Sequence, residues 1–396
     1  MKIVPRARIL AIAFSLLLGL PAVVSVITDH DARSRWENRP LADLPGPVDV
    51  LEAERWFAGL ERFLEDRLGF AIPLNRIHRR LLLHGFQVSP AEDVTMGKAD
   101  FLFVTSYRSY PFSILEELCV GSLEPGRARA AGETWTALME HFSSSHQRVF
   151  LLVVPSKPTL YPEQLSPAVP RDYREKCADF RHGASAPGVI ARQLSARGYS
   201  VLYPFEAFRR LRYDGNFYPR QNFHVEGASA HWLGRETLRM LGVQPGPDYD
   251  NSIPGRFETS DLSNVLGFKR RIDRLEYPYR SFGLAEAREE PPFVGDFYRN
   301  ALRYGTWTSE RPLTGRTAAV IGNSFTQYVA GHLAPGYEKL VYIMANDLEP
   351  GEVERFFGDM LPRIEAEDLI FVFNDNGVAV TGAMWLEALR DAGVIR

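Results

Sequence analysis

The sequence predicts an α/β fold, a parallel sheet covered by helices on both faces. Two observations carry that prediction. Residues 148–155 form a short apolar run rich in β-branched side chains, as a strand buried on both faces requires. From residue 317 onward, such runs alternate with single helices. Strands are expected at 317–321, 340–344 and 369–373, and helices at 326–333, 351–364 and 382–392. Single helices between strands imply right-handed crossovers and three layers, α/β/α.

The earlier elements follow the same logic. Residues 51–83 carry apolar side chains at helical spacing, with Pro73 as an interruption. Residues 101–104 read as a short strand and 126–142 as a helix. Residues 186–197 suit a helix, 200–203 the next strand and 227–241 another helix. Residues 251–311 show no clear period, and are expected to be an insertion or a lid.

Bulk properties narrow the function. The chain has 396 residues, 45% of them hydrophobic, enough for one large domain or two ordinary ones. The balance of 46 basic against 49 acidic residues gives no case for nucleic-acid binding. Lys2, Arg6 and Arg8 precede an uncharged run over 9–27, which at helical rise spans about 28 Å, close to a bilayer core. The basic flank orients the N-terminus inward. Residues 1–27 are therefore read as a stub and transmembrane signal anchor, with a cleaved signal peptide as the competing reading. Residues 28–48, charged and Pro-containing, read as a linker, and 49–396 as an exported domain. Cys119 and Cys177 are the only cysteines. They are too few for a zinc site, and in an oxidising compartment they could pair.

The chemistry concentrates at strand ends, where ligands of such sheets bind. Gly322-Asn-Ser324 sits at a strand-to-helix turn. That turn exposes a serine hydroxyl, and the helix start supplies backbone N–H groups for an oxyanion. Ser324 is equally a good helix cap. Asn374 ends the 369–373 strand, where its amide could donate to an oxyanion. It also begins an Asn-Asp-Asn-Gly turn. His224, on the loop before the 227–241 helix, is the candidate general base. His231, on that helix beside Trp232, is the weaker candidate and suits packing.

Several segments resemble one family in order along the chain. Glu37-Asn-Arg-Pro-Leu-Ala-Asp-Leu-Pro45 resembles its Glu-Asn-Arg opening. Phe63-Leu-Glu-Asp-Arg-Leu-Gly-Phe70 is similar to its Asp-Arg helix, and Gly97-Lys-Ala-Asp-Phe-Leu-Phe103 to its Gly-Lys segment. Val154-Pro-Ser-Lys-Pro-Thr-Leu-Tyr-Pro162 resembles its Pro-x-Lys segment. Gly322-Asn-Ser-Phe325 corresponds to its Gly-Asp-Ser-Phe, Asn222-Phe-His224 to its Asp-x-His, and Asn374-Asp375 resembles the oxyanion block of ordinary SGNH enzymes. The family is the alginate O-acetyltransferase type of SGNH hydrolase-like proteins. The resemblance implies a flavodoxin-like SGNH fold with circularly permuted motif order, His224 before Ser324 before Asn374.

It also implies a periplasmic, membrane-anchored protein that acetylates an exopolysaccharide, and a polytopic membrane acyltransferase as acetyl donor. No metal or nucleotide cofactor is required. Two acidic positions of the pattern carry amides here, Asn222 and Asn323. Either another carboxylate orients His224, with Asp214 and Glu226 nearest in sequence, or catalysis is impaired. Three readings are therefore open: a serine O-acyltransferase using Ser324, His224, Asn222 and Asn374; a polysaccharide-binding subunit that lost catalysis; and a carbohydrate esterase. Aromatic residues between Tyr277 and Trp307 are candidate sugar-stacking platforms.

Overall fold

The structure, a computed structural model, describes residues 14–15, 20, 23–25, 41–47, 53–67, 71–86, 88–106, 111–214, 217–257, 261–266, 272–287, 303–346 and 348–395. They fall in two compact units, Met1–Pro90 and Ala91–Arg396. The expected anchor over 1–27 lies mostly outside the described residues. Among those described, no helix is long and apolar enough to cross a membrane.

The first unit contains helices α1 (Ala53–Asp66) and α2 (Ala71–Arg80). The Asp66 carboxylate accepts the Ala42 N–H at 2.7 Å and Arg67 donates to the Ala42 carbonyl at 2.7 Å, tying segment 41–47 to the end of α1. The helical pattern breaks before Ala71 rather than at Pro73. A proline in the first turn of a helix sacrifices no intrahelical hydrogen bond.

The second unit begins with an antiparallel pair, β1 (Val94–Met96) and β2 (Leu102–Val104). Helices α3 (Ser113–Cys119) and α4 (Pro125–Ser143) follow. Next come β3 (Arg148–Val154), the single turn α5 (Lys157–Leu160), α6 (Arg171–Ala178), α7 (Ala186–Ala196), β4 (Ser200–Leu202), α8 (Phe205–Leu211) and α9 (Ala228–Met240). The stretch without a sequence period holds β5 (Ile253–Phe257), α10 (Asp261–Val265), β6 (Ile272–Glu276), β7 (Leu284–Ala287) and β8 (Arg303–Ser309). The chain closes with β9 (Thr317–Gly322), α11 (Phe325–Leu333), β10 (Lys339–Met344), α12 (Pro350–Arg355), β11 (Asp368–Asn374) and α13 (Val378–Asp391). The helix expected over 351–364 leaves α geometry after Arg355 and ends in a tight turn containing Pro362, which has no N–H to continue it.

Seven strands form the main sheet in the order β4-β3-β11-β9-β10-β8-β7. The first five run parallel, and β8 and β7 add an antiparallel edge. Side chains alternate between two cores, as a pleated strand dictates. Phe150, Leu152, Val320, Ile370 and Val372 meet α9 and α11 through Leu233, Phe325 and Val329. Leu151, Val153, Ile321, Phe371 and Phe373 meet the opposite layer through Trp135, Ile190, Val353 and Trp385. The central architecture is thus mixed α/β with a mostly parallel sheet between helical layers. Strands β7 and β8 were not legible because their residues are only partly buried and do not alternate.

The topology singles out one strand end. From β9 the chain passes through α11 to β10 on one side, then returns to β11 on the other. Neighbouring connections diverge there, at the kind of strand end where open α/β sheets bind ligands. Gly322 stands at that end. A Cβ on it would lie 1.8 Å from the Val372 carbonyl oxygen, so β9 and β11 approach this closely only with glycine.

The two cysteines pair. Cys119 ends α3 and Cys177 lies in α6, and their disulfide closes a separation of 58 residues.

Candidate active site

Ser324 caps α11 at the switch point, directly after β9. The loop carrying His224 turns at Gly227 into α9, which packs beside α11 in the same helical layer. That arrangement brings the two side chains together across 100 residues of sequence: His224 Nε2 lies 2.7 Å from Ser324 Oγ.

The other imidazole nitrogen is also engaged. His224 Nδ1 lies 2.7 Å from Oδ2 of Asp261, at the start of α10. A carboxylate only accepts, so Nδ1 carries the proton and Nε2 presents its lone pair to the serine hydroxyl. Asp261 is itself held by the loop it serves. It accepts backbone N–H groups from Phe223 at 2.8 Å, His224 at 3.1 Å and Leu262 at 2.6 Å.

Aromatic rings frame the imidazole. Tyr328, one turn into α11, stacks on His224 at 4.3 Å with planes 16° apart. Phe223 and Phe325 stand at its flanks with centroids 5.0 and 4.8 Å away. Only 12% of the His224 side chain and 20% of that of Asp261 are exposed, so the pair works in a largely dry setting that strengthens its electrostatics.

Asn222 does not take the acid's part. Its side-chain oxygen is buried without a hydrogen-bond partner among the described residues, while Asp261 holds His224. Asp214 and Glu226, nearest in sequence, do not hold it either. The acid comes instead from 37 residues downstream, within the aperiodic stretch. The sequence offered little to find it by. Asp261 opens a helix of only five residues, and no His-directed spacing marks it.

Asn323 and Asn374 form a clasp with a fixed sense. The Phe325 N–H donates to Asn323 Oδ1 at 3.1 Å, which makes the other terminal atom the donor. That Nδ2 donates to Asn374 Oδ1 at 2.8 Å, and the Gly377 N–H donates to the same oxygen at 3.0 Å. A Cβ at Gly377 would sit 2.8 Å from Asn374 Oδ1, so a side chain there would push the clasp apart. With its oxygen occupied twice, Asn374 is left with Nδ2 as a donor. Neither that group nor the Ser324 backbone N–H makes a hydrogen bond among the described residues.

His231 belongs elsewhere. It is buried, stacks on Tyr277 at 3.7 Å and lies 2.9 Å from both Asp250 Oδ1 and the Tyr279 hydroxyl. Burial pushes it down to about 4, against the pull of Asp250. Neutral, it donates from Nε2 to Asp250 and accepts from Tyr279, whose oxygen meets His332 Nδ1 at 2.6 Å. Of the candidate sugar-stacking aromatics, Tyr277 and Tyr279 are therefore engaged in packing α9 and α11.

No group of three or more His, Cys, Asp or Glu suited to a metal ion occurs among the described residues. A search of protein-family models found no match, nor did a search of curated proteins. Solved structures similar to the chain do exist. The O-acetyltransferase domain of Pseudomonas putida AlgJ shares 12% identity at a TM-score of 0.45, covering 76% of this chain and 99% of that one. Bacillus cereus PatB1 with a sulfonyl adduct shares 11% identity at 0.47, covering 72% and 94%. A DHHW family protein from Eubacterium siraeum shares 12% at 0.46, covering 65% and 88%.

Proposed function

We propose that the protein is an exported serine O-acyltransferase that moves acetyl groups onto polysaccharide hydroxyls. The observation that carries this reading is the continuous array from Asp261 through His224 to Ser324. Ser324 Oγ attacks the carbonyl carbon of an acetyl ester while His224 Nε2 takes its proton. The tetrahedral oxyanion is held by the Ser324 N–H and Asn374 Nδ2. The ester C–O bond breaks, and His224 returns the proton to the departing oxygen. A sugar hydroxyl then attacks the acetyl-serine, giving its proton to His224, and Ser324 leaves with that proton restored. Asp261 holds the imidazole in the required tautomer and stabilises it when charged.

Asn222 and Asn323 were the motive for a non-catalytic binding subunit. Asp261 removes the first motive, and the Asn323 clasp gives the second a structural role. An esterase would use the same first half-reaction. Transfer prevails only where a sugar hydroxyl sits beside the acetyl-serine at high effective concentration. The disulfide suits an oxidising compartment such as the periplasm. In this reading residues 1–27 anchor the chain in the inner membrane, 28–48 link it to a domain over 49–396, and a polytopic membrane acyltransferase delivers acetyl.

The test incubates the protein and Ser324→Ala with an activated acetyl ester, with and without an oligosaccharide acceptor. Serine-dependent acetyl-sugar supports the transferase. Serine-dependent acetate alone, unmoved by acceptor, supports the esterase. Identical behaviour of the two proteins supports the binding subunit.

A further inference from the structure

Lys157 carries a charge where charge is costly. It opens α5 just beyond the carboxyl end of β3 and is 3% exposed. Its Nζ donates to the carbonyls of Leu102 at 2.7 Å, Arg220 at 2.8 Å and Pro219 at 3.3 Å. The rings of Phe101, Phe103 and Tyr218 surround it at 5.6 to 5.9 Å. Burial pushes it down to about 7, and the negative charge of Asp261 opposes that. Three carbonyls call for three N–H donors, which only the ammonium has. A buried ammonium without a contacting carboxylate is expensive, so it requires a compensating arrangement.

Its partners lie at the root of the loop that carries His224. The Arg220 carbonyl also accepts the Leu102 N–H, and the Pro219 carbonyl accepts the Asn222 N–H. Lys157 therefore ties β2 and residues 219–220 to one point, and Phe223 and His224 leave from there into the Asp261 carboxylate. We propose that Lys157 is a positioning residue of the Asp261–His224–Ser324 array, fixing the His224 loop through three carbonyls and setting a positive charge against the negative one of Asp261. This rests on the acyltransferase reading of the site. The groups facing His224 are Asp261 from α10, and Ser324 and Tyr328 at the start of α11; Lys157 acts through Asp261. A positive charge acting on Asp261 opposes the carboxylate's attraction for an imidazolium.

The test uses full-length protein, Lys157→Met and Lys157→Arg. The His224 imidazole is followed by long-range ¹⁵N NMR against pH, and Ser324 by its rate of labelling with an aryl sulfonyl fluoride. In Lys157→Met the His224 titration should move upward from its wild-type position, as loss of a positive charge acting on Asp261 requires. Labelling at neutral pH should fall about tenfold or more. Lys157→Arg, keeping the charge, should hold the titration at the wild-type position. Should Lys157→Met not fold, Lys157→Gln, with two donors and no charge, gives the same two readings. A charge-free variant that folds yet leaves both titration and labelling unchanged overturns the proposal. Failure of the acyltransferase reading shows differently: wild type itself then does not label at Ser324, while the His224 titrations still report on Lys157.

Discussion

Asp261→Asn is the sharpest perturbation of the proposed chemistry, because its consequence follows from the direction of each hydrogen bond. In the wild type, Oδ1 accepts the Phe223 and Leu262 N–H groups, and Oδ2 accepts the His224 N–H, the Nδ1 proton and, more weakly, the shared Phe223 N–H. An asparagine has one oxygen for these two positions. With its NH₂ at the Oδ1 position, two backbone donors would face it, one at 2.6 Å. With its oxygen there, both of those bonds survive, and the NH₂ meets the Phe223 and His224 N–H groups only at the longer distances of 3.0 and 3.1 Å, while Nδ1 can turn acceptor. The second orientation is preferred, and it reverses the imidazole: Nδ1 must accept, so Nε2 carries the proton and points it at Ser324. The same change in the serine-protease triad costs about 10⁴ in turnover, roughly 5.5 kcal/mol of transition-state stabilisation. We expect a loss of that order in release of acetate from an activated acetyl ester. Far-ultraviolet circular dichroism and thermal melting should show a folded protein. A folded Asp261→Asn variant within tenfold of wild type would refute the reasoning that Asp261 sets the tautomer.

Three further outcomes are expected. Asn374→Ala removes one oxyanion donor and should lower kcat by about 10²–10³ with little change in KM, measured on the same ester. Cys119→Ser with Cys177→Ser opens a loop of 58 residues, and chain-entropy reasoning gives a loss of up to about 4 kcal/mol in denaturant unfolding. Asp375 is buried against Ser156 and Tyr203, and burial raises its carboxyl to about 6, those hydrogen bonds opposing. A raised carboxyl contributes stability below its unfolded value near 4, and that contribution is lost as pH climbs through 6. Asp375→Asn should therefore gain on wild type in melting temperature between pH 4 and 6, and parallel curves across that window would contradict the assignment.

Much of this site was legible because strand ends and glycine turns are local signals. The apolar run into Gly322 located Ser324, and the position of His224 before a helix made it a reachable base. Asn374 was legible as a strand-end amide, but its orientation was not. That depends on two backbone N–H groups, those of Phe325 and Gly377, which only folding brings near. Asp261 was missed for a related reason. Its segment is short, its neighbouring strands are weakly patterned, and its partner lies in a different part of the sequence. The amides at 222 and 323 looked like losses when each was compared with the position it resembles. Folding brings a carboxylate from another loop onto His224, and it uses the Asn323 amide as a donor where a carboxylate could not donate.

The most direct test of the central claim is to look for the covalent intermediate. The protein is mixed with an activated acetyl ester, quenched in acid and digested, and the peptide bearing Ser324 is examined by mass spectrometry. The account predicts a single acetyl group on Ser324, absent from Ser324→Ala, strongly reduced in Asp261→Asn, and discharged when an oligosaccharide acceptor is added before the quench. A protein that releases acetate with no acetyl on Ser324, or that acetylates equally well without this hydroxyl, would contradict it.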